Sequence, residues 1–296
     1  MNMIAAEIFL CQIEPMEARP HMSDVETPSG KGAADENFPV GSFLLPKKLR
    51  PHVAKFYAFA RAIDDIADNP DLTADDKINR LDACGQALTQ GSDDPALITS
   101  TCLYHSLRES NVTPQHGLDL IDAFKQDAVK SRYKDWDELI DYCRRSAAPV
   151  GRYLLDLHGE DKALYPASDA LCHALQVINH IQDACDDRRD MDRVYVPTDW
   201  LAEENIDVRA LDGQETSPEL RRVFNKMLIG TQELLDVSRR LAPSMQSRHL
   251  SSETRIIQKL AEVLVKKLSE QDPIATRVVL SKPAMLFVAV CGLLRI

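Results

Sequence analysis

Neither a G-x-G-x-x-G turn nor a P-loop occurs anywhere in the 296 residues, so there is no sequence evidence for a dinucleotide or nucleotide fold. The eight histidines form no H-x-x-x-H pair. The seven cysteines (Cys11, Cys84, Cys102, Cys143, Cys172, Cys185 and Cys291) contain no C-x-x-C. That odd, scattered set argues against structural zinc and points to a reducing cytoplasm. Basic stripes are also missing. With 35 Lys and Arg against 46 Asp and Glu the net charge is −11, which argues against nucleic acid as a partner. The apolar run 285–294, after Lys282-Pro283, is too short to span a bilayer. It reads either as a final helix packed on the core or as a shallow peripheral membrane contact. An apolar patch at 4–13 is interrupted by Glu7 and lacks the basic region and cleavage site of a signal peptide.

What the chain does have is helical periodicity. Apolar residues repeat at three and four through 50–68, 74–88, 97–110, 117–130, 136–158, 167–188, 218–241 and 253–270, and alternating strand-like runs are scarce. Thr73, Ser217 and either Ser251 or Ser252 stand where helix N-caps are expected. No linker or solenoid repeat divides 37–279. The expected organisation is one all-α domain over 37–296, preceded by a loosely ordered extension, 1–36.

Two aspartate arrays dominate the chemistry. The first is Asp64-Asp65-x-x-Asp68; the second is Asn179-x-x-x-Asp183-x-x-x-Asp187. On a helix, Tyr57, Arg61, Asp64 and Asp68 make one stripe, and Val53, Phe56, Phe59, Ala60, Ile63 and Ile66 cover most of the rest. Gln176, Asn179, Asp183 and Asp187 repeat that geometry among Leu175, Val177, Ile178 and Ile181. Spacing alone decides little, since Asp71/Asp75 and Asp137/Asp141 share it. The Asp71/Asp75 pair, however, lies among polar residues after Asn69-Pro70. Like charges four apart cost about 0.2–0.5 kcal/mol when exposed, and more in a low-dielectric cavity. A cation removes that penalty. Magnesium suits two facing carboxylate banks, because it takes oxygen ligands, keeps waters and commonly bridges one or two carboxylates to a phosphate. Cys185, inside the second array, reads as a buried helix cysteine.

The segment Phe43-Leu-Leu-Pro46 through Arg61-Ala-Ile-Asp64-Asp65-Ile-Ala-Asp68, with Leu175-Gln-Val-Ile-Asn179, Asp183-x-x-x-Asp187 and Arg193-Val-Tyr195-Val-Pro197, resembles the squalene/phytoene synthase family. The likeness covers about residues 37–279. It implies an isoprenoid-synthase helical bundle around a central cavity, with diphosphate and magnesium at one end and prenyl chains in the apolar remainder. Residue by residue, it makes Asp64, Asp68, Asp183 and Asp187 magnesium ligands and Asn179 a ligand or diphosphate contact. Gln176, Arg61, Tyr57 and Arg277 become diphosphate or supporting groups. Arg193 and Tyr195 are placed to close the site, and Asp127 and Tyr142 match positions that line the cavity.

A finer likeness, carried by Glu36-Asn-Phe-Pro-Val-Gly41, Ala123-Phe-Lys-Gln-Asp127, Lys130-Ser-Arg-Tyr133, Tyr142-Cys-Arg-Arg-Ser-Ala-Ala-Pro-Val-Gly151 and Gln182-Asp183, is to the bacterial branch that acts on presqualene diphosphate in making squalene for hopanoids. Those segments depart from the head-to-head condensing members. A Ser-Phe-Ser-like entry is here Asn37-Phe38-Pro39, the arginine usual before Asp183 is Gln182, and no tyrosine follows Tyr195. The expected reaction is ionisation of presqualene diphosphate, or a related prenyl diphosphate, and capture of the cation by water. Alternatives are a presqualene diphosphate, squalene or phytoene synthase, or a non-catalytic assembly protein of the same fold. Expected partners are the diphosphate substrate, neighbouring squalene-pathway enzymes and a peripheral contact with the inner membrane.

Overall fold

The computed structural model describes residues 45–281 and 283–285. The expectations for 1–36, for Asn37-Phe38-Pro39 and for nearly all of 285–294 lie outside the described residues. Among the described ones no strand forms; an isolated parallel bridge joins Arg132 to Val194.

Helix α1 is Arg50–Asp68, with Pro51 in its first turn, where a missing N–H costs nothing, and Asn69-Pro70 ending it. Its inner face buries Val53, Phe56, Phe59, Ala60, Ile63 and Ile66. The opposite side, at Ala58, is exposed, so α1 lies on the bundle wall and not in its centre. Phe56 stacks on Tyr153 at 3.9 Å between centroids, and the Tyr153 hydroxyl donates to His52 O at 2.9 Å. Such a ring pair contributes about 0.5–1.5 kcal/mol beyond its buried area.

Helices α2 (Ala74–Gln90), α3 (Ile98–Ser110) and α4 (Gln115–Asp127) pack around α1 and one another. Thr73 caps α2 as expected, its hydroxyl accepting from Asp76 N–H at 3.2 Å, a contact of about 1 kcal/mol. The run expected as one helix over 136–158 is two: α5 (Trp136–Ser146) and α6 (Ala148–His158). They meet at Ala147, whose φ of −125° and ψ of −47° depart from the helix, and Pro149 falls in the first turn of α6. Proline cannot donate to the preceding turn, so it starts a new helix there.

The centre belongs to α7 (Tyr165–Gln182), in which every residue from Ala170 to Gln182 is buried. It is braced by α6 and by α10 (Pro218–Ser238). Where α6 crosses it, a Cβ on Gly151 would stand 2.4 Å from Ser168 Oγ and 2.7 Å from Cys172 Sγ, so only glycine permits that approach. The expected helix 167–188 is divided at Asp183 into α7 and α8 (Ala184–Met191). After α8 come α9 (Thr198–Glu203), α10, α11 (Leu241–Ser244) and α12 (Arg248–Glu270). Ser217 caps α10, accepting from Leu220 N–H at 3.2 Å. Helix α12 starts earlier than expected: its cap is Ser247, accepting from Leu250 N–H at 3.3 Å, and neither Ser251 nor Ser252 has that role. No described helix is long and apolar enough to cross a membrane.

Candidate active site

The ends of α1, α4 and α7 and the whole of α8 bring the two arrays to one end of the bundle. Asp64 is 2% exposed and Asp187 7%, with Gln176, Asn179 and Asp183 buried between them. Asp71, Asp75, Asp137 and Asp141 are exposed, so context separates the arrays from the other pairs of equal spacing. Cys185 is half-buried, not buried: at the start of α8 it faces away from the α7 core.

The division at Asp183 is a bend and not a gap. Asp183 has φ −104° and ψ 7°, yet its N–H bonds Asn179 O at 2.8 Å and Asp187 N–H bonds Asp183 O at 2.8 Å. Asp183 thus hydrogen-bonds to both helices, which are otherwise separate elements. No proline or glycine marks it in the sequence.

Arginines balance both arrays. Within α1, Arg61 reaches Asp64 Oδ2 at 3.2 Å and Asp65 Oδ1 at 3.4 Å. Arg193, 5% exposed, pairs with Asp68 Oδ1 at 3.1 Å and donates to Asp127 O at 3.3 Å. Across the site, Arg277 stands 2.9 Å from Asp183 Oδ1. Asp192, the residue before Arg193, has φ +49° and turns the chain inward at the end of α8, with Arg193 N–H bonding Asp187 O at 3.1 Å.

Behind Arg193 lies a buried aromatic cluster. Tyr142 donates to Asp127 Oδ2 at 2.7 Å, and Tyr195 donates to Asp127 Oδ1 at 3.4 Å. Tyr195 is sandwiched between His180, at 3.6 Å between centroids, and Tyr133, at 5.3 Å. Tyr57 is half-buried against the core on the α1 stripe. Sequence reasoning did not place His180 or Tyr133 in the site. For His180 the available signal was its position one residue past Asn179; Tyr133 is brought in by the pairing of its segment with the one after α8, Val194 N–H to Ser131 O and Thr198 N–H to Tyr133 O, each at 2.9 Å. Lys77 on α2 was missed as well. Burial, then the nearby Arg193 charge, holds its ammonium below the ordinary range, while Asp127 works in the opposite sense.

The electrostatics follow from that packing. Burial pushes Asp187 up to about 7, with the Asp183 carboxylate adding to the shift. Burial also raises Asp64 and Asp127, against the pull of Arg61 on the first and Arg193 on the second. The phenols of Tyr142 and Tyr195 are pushed well above their ordinary range by burial and by Asp127. Burial works against the charge on Arg193, but the surrounding oxygens of Tyr195, Asp127 and Tyr142 outweigh it and keep the guanidinium protonated.

Asp64 Oδ1 is buried without a hydrogen-bond partner, and Asp183 and Asp187 contribute further hard oxygen donors. That chemistry fits a divalent oxygen-seeking cation. Among the described residues no three acidic or histidine side chains converge as a ready-made metal cluster. Two separate banks suit magnesium, which takes one or two carboxylates and completes its shell with waters and phosphate, better than they suit zinc, which needs converged ligands.

The all-α architecture with paired acidic helix ends defines the class as an isoprenoid-synthase fold. Among solved structures the chain is similar to squalene synthase HpnC from Alicyclobacillus acidocaldarius, at 31% identity and TM-score 0.68, covering 78% of this chain and 86% of that one. A dehydrosqualene synthase, at 19% identity and TM-score 0.72, shares the fold over 86% of this chain and 90% of its own. The family model for squalene/phytoene synthase matches residues 32–284. The chain belongs to the squalene/phytoene synthase family, and is an enzyme of that kind. It is 41% identical over 270 residues to a hydroxysqualene synthase from Zymomonas mobilis, covering 89% of this chain and 90% of that protein. It is also 41% identical to a hydroxysqualene synthase from Rhodopseudomonas palustris, with 90% of each chain covered.

Proposed function

We propose that the protein converts presqualene diphosphate and water to hydroxysqualene and diphosphate, using magnesium, as a step toward squalene and hopanoids. The observation that carries this reading is the pair of buried carboxylate banks, each with its own arginine (Asp68 with Arg193, Asp183 with Arg277), at one end of an apolar bundle. Such a site suits one diphosphate and a long hydrocarbon. The finer choice of reaction rests on the hydroxysqualene synthases at 41% identity.

In this reading Asp64, Asp68, Asn179, Asp183 and Asp187 would hold magnesium. When bound, the metal neutralises the departing diphosphate. Arg193 and Arg277 would turn from their carboxylates to phosphate oxygens, where a guanidinium makes paired charge-assisted hydrogen bonds. The carbon–oxygen bond to diphosphate breaks and its electron pair leaves with the diphosphate. The cation then gains a water oxygen, and that water loses a proton. The apolar wall keeps other water away from the cation. Tyr142 and Tyr195, held protonated by burial, keep the adjacent Asp127 oxygens bonded and so fix the floor beneath Arg193.

Purified protein given presqualene diphosphate and magnesium is expected to yield hydroxysqualene whose hydroxyl carries heavy oxygen from labelled water, with no effect of NADPH. Efficient condensation of farnesyl diphosphate, or squalene formed only with NADPH, would instead favour a condensing enzyme. That second reading has some support in a 34% identity, over 60% of this chain, to a phytoene synthase from Mycobacterium tuberculosis. A contact with the inner membrane, bringing the lipid substrate to the site, is part of the same proposal.

A further inference from the structure

Gln182 is the last residue of α7, and it does not face the diphosphate end in the manner of a phosphate ligand. Its side chain is buried, and its amide Nε2 donates to the backbone carbonyl of Val278. Val278 is itself buried, 1% exposed. The preceding residue is Arg277, whose side chain is 44% exposed and whose guanidinium reaches the 5% exposed carboxylate of Asp183. Asp183 in turn follows Gln182 directly. The arrangement is a closed loop: backbone from Gln182 to Asp183, ion pair to Arg277, backbone to Val278, hydrogen bond back to Gln182.

We infer that Gln182 is a positioning residue for Arg277: the chain carries a carboxamide at 182 to clamp the segment after α12, and that segment delivers the guanidinium from position 277. A guanidinium at 182 and a guanidinium at 277 are two ways of putting positive charge beside Asp183. The second way needs an anchor, because residues 271–281 form no helix and Arg277 is half in solvent. Elsewhere the segment is held by Lys267 Nζ, which donates to Val279 O at 2.9 Å, by Thr216 N–H on Asp272 Oδ2 at 2.9 Å, by Arg221 on Gln271 O at 2.8 Å and by the buried side chains of Val278 and Leu280. Gln182 is the anchor on the side of the carboxylate. Without it, a side chain with four rotatable bonds would reach Asp183, or a phosphate, from a backbone no longer tied to the end of α7, at part of the entropic cost that preorganisation avoids.

The inference rests on the reading of this end of the bundle as a diphosphate site. The test uses calorimetric titration of the full-length protein with inorganic pyrophosphate in the presence of magnesium. Arg277→Ala is expected to weaken binding by about tenfold or more, the loss of hydrogen bonds to a charged group. Gln182→Met, which keeps the volume and removes the donor, is expected to weaken it by several-fold. The double variant should bind no more weakly than Arg277→Ala alone, because an anchor with nothing to hold contributes nothing. Gln182→Asn, too short to reach Val278, should behave as Gln182→Met does and serves if the methionine variant misfolds. Equal binding by wild type and both Gln182 variants would overturn the inference, as would losses that add in the double variant. No magnesium-dependent pyrophosphate binding by the wild type would overturn the diphosphate site itself.

Discussion

In the first array Asp64 and Asp65 are paired within one helix, by Arg61 three and four residues earlier, while Asp68, 24% exposed, draws on Arg193 from beyond α8. In the second, Asn179, Asp183 and Asp187 are all buried, the helix bends among them, and the balancing guanidinium of Asp183 comes from Arg277, far along the chain. The same spacing thus yields a bank whose first two acids are stabilised by a neighbour in their own helix and a bank whose charge is balanced from a distant part of the chain. The second should be the more sensitive to pH and to distant changes, and the first the more forgiving.

Replacing one ligand in each bank is the severest test of that difference. Asp183→Asn and Asp64→Asn are each expected to cut magnesium-dependent diphosphate release by about a thousandfold, with helix content unchanged by circular dichroism. Near-normal turnover in either would refute the assignment of both banks. Arg193→Ala follows in size. It removes the buried cation shared by Asp68 and the carbonyl of Asp127, so unfolding free energy should fall by about 3 kcal/mol, read from urea titration, with activity lost alongside.

Asp187 gives the pH test. Its folded pKa of about 7 lies above the ordinary carboxylate value, so the folded chain binds a proton that the unfolded chain has released. Metal-free stability is therefore full below about pH 4 as far as this group is concerned, and declines as pH rises toward 7. The melting temperature in chelator should drop over that interval, and Asp187→Asn should flatten the slope; an unchanged slope would deny the shift. Magnesium affinity should rise with pH over the same range, because the proton must leave before the metal binds. The smallest effect belongs to the forgiving bank. Arg61→Ala should cost less than about 1 kcal/mol of stability, since Arg61 is part-exposed and its pairs are local. A loss as large as that of Arg193→Ala would erase the distinction between pairing inside a helix and pairing across the bundle.

The unequal legibility of the two arrays has the same physical origin. Helix α1 was readable to the residue, 50–68, because Pro51, Asn69 and Pro70 punctuate it and its apolar face is periodic. The break at Ala147 had a signal in Pro149, overlooked because the apolar repeat runs straight through it. The bend at Asp183 had none. It lies where α7, packed against α6 and α10, gives way to α8, and no residue type in the sequence marks the place. Ser247 was passed over as a cap because Ser251 and Ser252, beside Glu253, look like the better N-terminus; yet Glu253 is buried and its carboxyl oxygens have no hydrogen-bond partner. The site residues of the resemblance do gather at one end, whereas His180, Tyr133 and Lys77 join them only through packing that no spacing announces.

Asp183 bonds back to Asn179 and accepts from Asp187, so the three residues of the second bank are joined through one backbone unit that belongs to neither helix. Mechanically this is a hinge with a pin through it: the two helices are separate, and the acid at the joint stays bonded to both. The backbone of this one residue therefore sets where the acid of α8 stands relative to those of α7.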